Sequence, residues 1–297
     1  MSITLVAVVV ALVLGHVAPS LVTSVRQFHW YGHWLRWLDE RFPGDGFWRG
    51  RYGIVLALVP PLLLVGLFQW VLHEPLFGLV GLLFSVLVLV YAWGPRDLDV
   101  DVEAIIDAHE PAARREAIAR LWPDGETVAA DGPALVEAVF RNALRRWFGV
   151  LFWFLLLGPI GALLYRLVAL TAEGEFQRAL PHDTREGARA LLSVLEWPVA
   201  QLMTLAMALV GNFDTVFQAW REAHGNSLQL RTGFLGHAAR ASVRSELAEE
   251  AEDYAEEGMV QAMRELPELR DAMSLVWRIL LVWMAVLAVF VIGGWVS

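Results

Sequence analysis

Residues 134–169 read ALVEAVFRNALRRWFGVLFWFLLLGPIGALLYRLVA, and this stretch decides the fold class. A polar, arginine-bearing helix leads directly into an apolar segment of membrane length that breaks at Gly158-Pro159. No charged side chain occurs from Phe148 to Leu164, and Arg166 follows near the far end. Charges at membrane depth are costly and face a protein interior or a watery cavity. Glu137, Asn142 and Arg166 around a broken apolar helix therefore mark a polar site at a membrane.

The rest of the chain agrees with a membrane setting. It is 57% hydrophobic and only 19% charged, against roughly 45–50% and about 25% for soluble domains. Apolar runs at 3–22, 52–72, 76–93 and 275–295 each approach the ~20 residues that cross ~30 Å of hydrocarbon. The run at 148–169 carries the Gly-Pro break, and a shorter one at 194–210 begins at Glu196-Trp197-Pro198. Pro198 suits the first turn of a helix, where its missing N–H costs nothing. These last two runs read as full crossings or as re-entrant segments, because irregular backbone at depth must be shielded by protein. The first run has neither a basic leader nor a clear cleavage site and reads as a retained helix.

The expected fold is thus an all-α polytopic membrane helix bundle with interfacial and cytoplasmic helices. Its parts are a three-span region (1–93) with an interfacial aromatic loop (23–51), a cytoplasmic helical segment (94–146), and broken, re-entrant or hairpin membrane helices (147–211). Cytoplasmic helices (212–274) and a last span (275–297) follow. Arginines cluster at 26–51 and 96–146, which places both segments in the cytoplasm and the N-terminus outside by the positive-inside tendency. Arg178, Arg185 and Arg189 break that pattern if both middle segments cross, and obey it if the middle is re-entrant.

Several chemistries are excluded. There is no cysteine, and all 23 basic residues are arginines, so thiolate sites, lysine Schiff bases and a P-loop are absent. A net charge of −9 argues against general nucleic-acid binding. His29 and His33, four apart, could share a helix face towards a metal but have no third ligand nearby. The run DLDVDVE from Asp97 reads as a solvated strand or helix entry. Glu246, Glu249, Glu250, Asp253 and Glu257 form one broad helix face, read as solvated. Trp30, Tyr31, Trp34, Trp37 and Trp48 are the aromatic belt of an interfacial helix.

Arg96, Asp97, Glu137, Arg141, Asn142, Arg145, Arg166 and Glu196 form the candidate constellation. Glu137 and Arg141 are four apart and can pair locally. The cluster suits an anionic ligand held by bidentate arginines, or an ion-pair network that fastens helices.

Five pieces in order resemble known proteins: WGPRDLDVDV at 93–102, EPAARREAIARLW at 110–122, VEAVFRN at 136–142, LFWFLLLGPIGALLYRLV at 151–168 and LLSVLEWPVAQLMTLAMALVG at 191–211. Together they resemble the AmpE-like membrane proteins and their enzyme relatives, the CobD/CbiB cobalamin-pathway synthases. The synthases' pattern implies joining an amine to a corrinoid carboxylate at the expense of ATP. Several polar motif positions differ: Arg141 stands in place of a glutamate, Ala143-Leu144-Arg145-Arg146 replaces a polar run, and Leu192 and Ser193 replace paired aspartates. Mg²⁺ held against phosphates needs carboxylates, so the replacements lean against catalysis. The resemblance then implies an AmpE-like inner-membrane regulator of β-lactamase induction that binds an anionic ligand or partner without turnover and has no cofactor or metal. The alternative is the amide-forming synthase with Mg-ATP, its carboxylates supplied by Asp97, Glu137 and Glu196. The bilayer is the expected partner, with another protein or a second copy of the chain as further candidates.

Overall fold

The computed structural model describes residues 6–11, 26–44, 46–72, 78–94, 97–122, 129–174, 176–177, 180–227, 229–256 and 266–293. They are helical, with no strand among them, as the apolar periodicity predicts. Three helices are long and apolar enough to cross a membrane: Gly53–Val71, His182–Val210 and Pro267–Phe290. The protein is an all-α membrane helix bundle. The expected first span lies mostly outside the described residues, as does the 73–77 connection. Two compact units divide the chain, one formed by Met1–Pro95, Gly149–Leu195 and Leu287–Ser297, the other by Arg96–Phe148 and Glu196–Val286.

In the first unit, α1 (His29–Arg41) buries Tyr31, Leu35 and Leu38 on one stripe and exposes Trp30 and Trp37. Helix α2 (Gly53–Val71) contains Pro60 and Pro61. Its 19 residues rise ~28 Å, close to a hydrocarbon thickness. Proline has no N–H, so the carbonyls of Leu56 and Ala57 lose their i+4 donors. The Trp34 indole of α1 donates to the Ala57 carbonyl at 3.1 Å and replaces one of them. Helix α3 (Gly78–Ala92) is the shorter counterpart of the expected run 76–93.

The Gly-Pro break folds the apolar run back on itself. Helix α7 (Gly149–Leu157) and helix α8 (Pro159–Ala172) meet at Gly158, whose φ of 72° suits glycine. Gly149 lies against Tyr165 and Gly161 against the Trp153 carbonyl, so the two arms are antiparallel. The nine residues of α7 rise only ~14 Å, and the run does not cross as one span. Gln69 of α2 closes the tip: its amide donates to the Leu157 carbonyl, and its oxygen accepts from the Ile160 N–H, both at 3.0 Å. Backbone groups at depth need such internal partners.

Helix α9 (His182–Val210) starts 12 residues before the expected apolar onset at Val194, so Pro198 is interior and not in a first turn. At its start Thr184 donates to the carbonyls of Trp48 and Gly50, and Gly187 lets the Arg51 backbone approach closely. The segment after the hairpin therefore shares one end of this unit with the first arginine loop.

The second unit contains α4 (Leu98–Ile106), α5 (Pro111–Ala119) and α6 (Gly132–Ala143), which runs into a π-helical turn at Leu144–Phe148. Helices α10 (Phe213–Glu222) and α11 (Gly233–Glu256) follow the end of α9, and α12 (Pro267–Ile292) completes the chain. Helix α6 buries Leu135, Val136, Val139, Phe140 and Ala143 and packs on α11, which also packs on α10. Gln201 of α9 accepts from Trp220 at 2.9 Å and donates to the Gly225 carbonyl at 2.7 Å, fastening α10. The acidic face of α11 is not wholly solvated. Glu246 makes two hydrogen bonds to Arg278 of α12, at 2.8 and 2.7 Å, while Glu257 lies outside the described residues.

Candidate functional site

The π turn organises the polar centre of the second unit. One extra residue per turn marks such bulges, which recur at functional sites. From its two consecutive arginines, Arg145 reaches Glu196 of α9 at 2.8 Å and Arg146 reaches Asp101 of α4 at 2.6 Å. Both carboxylates are buried, with Glu196 3% and Asp101 1% exposed. A buried carboxylate without a cation is heavily penalised, and each of these two meets an arginine. Asp99, two residues before Asp101, accepts from the Trp277 indole of α12 at 3.1 Å. Trp277 also lies against Trp147, with ring centroids 5.2 Å apart.

The sequence-derived constellation divides into several parts. Arg145 and Glu196 do come together. Glu137 does not pair with Arg141 on its own helix: its carboxylate takes Arg240 of α11 at 2.8 Å. Arg141 instead lies 5.9 Å from the Trp122 ring centroid, within cation–π reach. Asn142 donates to the carbonyls of Leu121 and Ala138, both at 2.8 Å, so its amide hydrogens anchor the end of α5. Asp97 occupies the position before α4 without capping it through its side chain. Arg96 lies outside the described residues. Arg166 belongs to the first unit, where it donates to the Ala92 carbonyl at 2.5 Å. Arg26 donates to Val90 and Gly94 close by, so both arginines serve the C-terminal carbonyls of α3.

Two residues that the sequence reading undervalued now stand out. Leu98, Asp101, Val102 and Ile105 are all buried on α4. Their i, i+3, i+4, i+7 spacing is a helical stripe with an aspartate inside it, a signal that the solvated reading of DLDVDVE overlooked. Arg240 carried no motif at all.

The Glu137–Arg240 pair stands between two hollows. One, of about 310 Å³, is lined by Trp122, Glu137, Arg141 and Gly236 among others. The larger, of about 780 Å³, is lined by Thr215, Gln218, Glu222, His237, Arg240 and Arg244 among others. Arg240 also lies 3.0 Å from Nδ1 of His237. Chemically, this is a cleft in which arginines can grip carboxylate or phosphoryl oxygens. Among the described residues no group of three or more His, Asp or Glu could hold a metal ion. His29 and His33 gain no third ligand there.

Comparison with known proteins bears on this geometry. The family model described as CobD/Cbib protein matches residues 4–227. The Cobalamin biosynthesis protein CobD of Stutzerimonas stutzeri (strain A1501) is 29% identical over 196 residues, or 62% of this chain and 62% of that protein. The match therefore spans less than two thirds of the relative's length. No solved structure matches. These findings correct the expected AmpE-like regulatory role, which nothing in them supports. That expectation counted only replaced motif positions, and the buried Asp101 and its neighbour Asp99 lie outside those positions.

Proposed function

Since the chain belongs to the CobD/CbiB family, we propose that it is a membrane-bound synthase of cobalamin biosynthesis, joining an amine to a carboxylate of a corrinoid or similarly large substrate at the expense of ATP. The observation that carries this reading is the family match over residues 4–227, which takes in the whole run from α1 to α10. The 780 Å³ hollow supports it, being in the range of small-molecule sites and bearing arginines at its wall. The Glu137–Arg240 pair is partly exposed, at 41% and 35% of the two side chains. Such pairs contribute only ~0–1 kcal/mol, so an incoming carboxylate can take Arg240 from Glu137 at little cost.

A resident metal centre does not fit these residues, and no step is assigned to one. Asp101, Glu137 and Glu196 each already face an arginine. The Mg²⁺ that accompanies ATP rests mainly on phosphates and needs only one or two protein carboxylates. The reading places the protein in the bacterial inner membrane, multi-pass, with the N-terminus periplasmic and the arginine-bearing loops cytoplasmic.

Complementation tests the proposal. Expression of the chain in a strain lacking its cobalamin synthase should restore cobalamin-dependent growth, and Arg240→Ala should abolish the rescue while the protein accumulates normally. Absence of rescue by well-expressed wild-type protein, with no amide product from a corrinoid acid, an amine and Mg-ATP in vitro, would sink the corrinoid reading.

A further inference from the structure

A third cavity lies wholly within the first unit. It has a volume of about 700 Å³. Helix α1 contributes Trp30, His33, Trp34 and Trp37, α2 contributes Pro60, Pro61, Leu64 and Val65, and α3 and α8 complete the wall.

The origin of this cleft is written in the sequence. Pro60 and Pro61 present rings where a helix would otherwise have two N–H groups. The indole of Trp34 is already committed to the Ala57 carbonyl, and that of Trp30 to Tyr91 Oη at 2.6 Å. Tyr91 in turn donates to the Gln27 carbonyl at 3.1 Å. The indoles of Trp30 and Trp34 are thus spent, and the His33 ring and the Trp37 indole are the polar groups left in the wall. A buried water needs two to four polar partners, so the cleft favours hydrocarbon.

What supplies the hydrocarbon follows from the surroundings. Helix α2 is long and apolar enough to cross a membrane, and its Leu63, Leu67 and Trp70 are all exposed beside the cleft-lining Leu64. Side chains of that kind on a spanning helix face lipid tails. At the other edge, tryptophans and a tyrosine mark headgroup level. There α1 exposes His33 and, three residues on, Arg36, which has no ion-pair partner among the described residues. Residues three apart share a helix face, and an arginine there suits a phosphate.

We propose that this cleft is a binding site for one bilayer phospholipid, with an acyl chain between α1 and the di-proline face of α2 and the phosphate against His33 and Arg36. The site is independent of the catalytic reading. It makes the interfacial helix a lipid clamp as well as an anchor.

The test reconstitutes the full chain in vesicles of phosphatidylglycerol or of phosphatidylcholine, extracts it in mild detergent and measures bound phospholipid by native mass spectrometry. The wild type should retain one lipid per chain, phosphatidylglycerol preferentially. Leu163→Trp, which fills the cleft from α8, should weaken retention about tenfold, and Val88→Trp should do the same should the first variant not fold. Arg36→Gln should keep a lipid but lose the headgroup preference. Wild-type protein that emerges free of phospholipid would overturn the site, as would folded cleft-filling variants that retain lipid as the wild type does. An unchanged phosphatidylglycerol preference in Arg36→Gln would overturn the assignment of the phosphate.

Discussion

The two units face the same problem, arginine at low exposure, and answer it differently. In the first unit Arg26 and Arg166 donate to the last carbonyls of α3. In the second, Arg145 and Arg146 meet the carboxylates of Glu196 and Asp101. An apolar helix such as α3 that ends within protein leaves carbonyls in need of donors, and a cation there also answers the negative end of the helix dipole. Gln69 and Trp34 perform the same service with neutral donors at the hairpin tip and the di-proline. In the first unit, then, these buried arginines reach the backbone. In the second, Arg145 and Arg146 meet carboxylates, which makes a polar centre of paired charges.

Breaking a carboxylate pair should therefore do most damage. Arg146→Ala takes the arginine from the buried Asp101, a loss on the order of 3–5 kcal/mol. Thermal unfolding of the detergent-purified variant should show a large drop, partly restored by adding Asp101→Asn. A drop no bigger than that of a surface variant would break the contrast between the units. Removing a backbone partner should cost less. Arg166→Leu forfeits a charge-assisted bond to Ala92, about 1.5–3 kcal/mol. Gly158→Ala puts a side chain at φ 72°, about 1–2 kcal/mol. If Gly158→Ala left unfolding unchanged, the hairpin tip would not require glycine.

How much of this was legible follows from the range of each signal. The Gly158-Pro159 break, the spans at 52–72 and 275–295 and the aromatic belt are local patterns, and each has its helix or turn in the fold. Pairing across the chain is not local. Glu137 and Arg141 satisfied the i,i+4 rule, yet Glu137 chose Arg240, a residue 103 positions later in sequence. The rule describes isolated helices, and α6 packs tightly on α11, with Gly236 directly against Glu137. Asp101 was legible in principle, since its stripe on α4 is helical, but acids alternating with valines look strand-like or solvated. The onset of α9 was hidden because its first turns, HDTREGARA, are polar and fell below any hydropathy threshold.

The smallest expected stability effect is the most telling one for function. Glu137→Gln should change unfolding by less than ~1 kcal/mol, because the pair with Arg240 is partly exposed. Arg240→Ala should be similarly mild, losing that pair and the contact with His237. In the synthase assay, however, the two should separate. Arg240→Ala removes the cation proposed to take the substrate carboxylate and should raise KM strongly. Glu137→Gln frees that cation from a competitor and should leave KM unchanged or lower. The exchange Glu137→Arg with Arg240→Glu sharpens the point, since it restores an ion pair of opposite sense. Recovered stability without recovered binding would mean that the arginine is needed on α11, at the wall of the larger hollow. Recovery of both would mean that the pair only holds α6 to α11, and that the cleft finds its anion elsewhere.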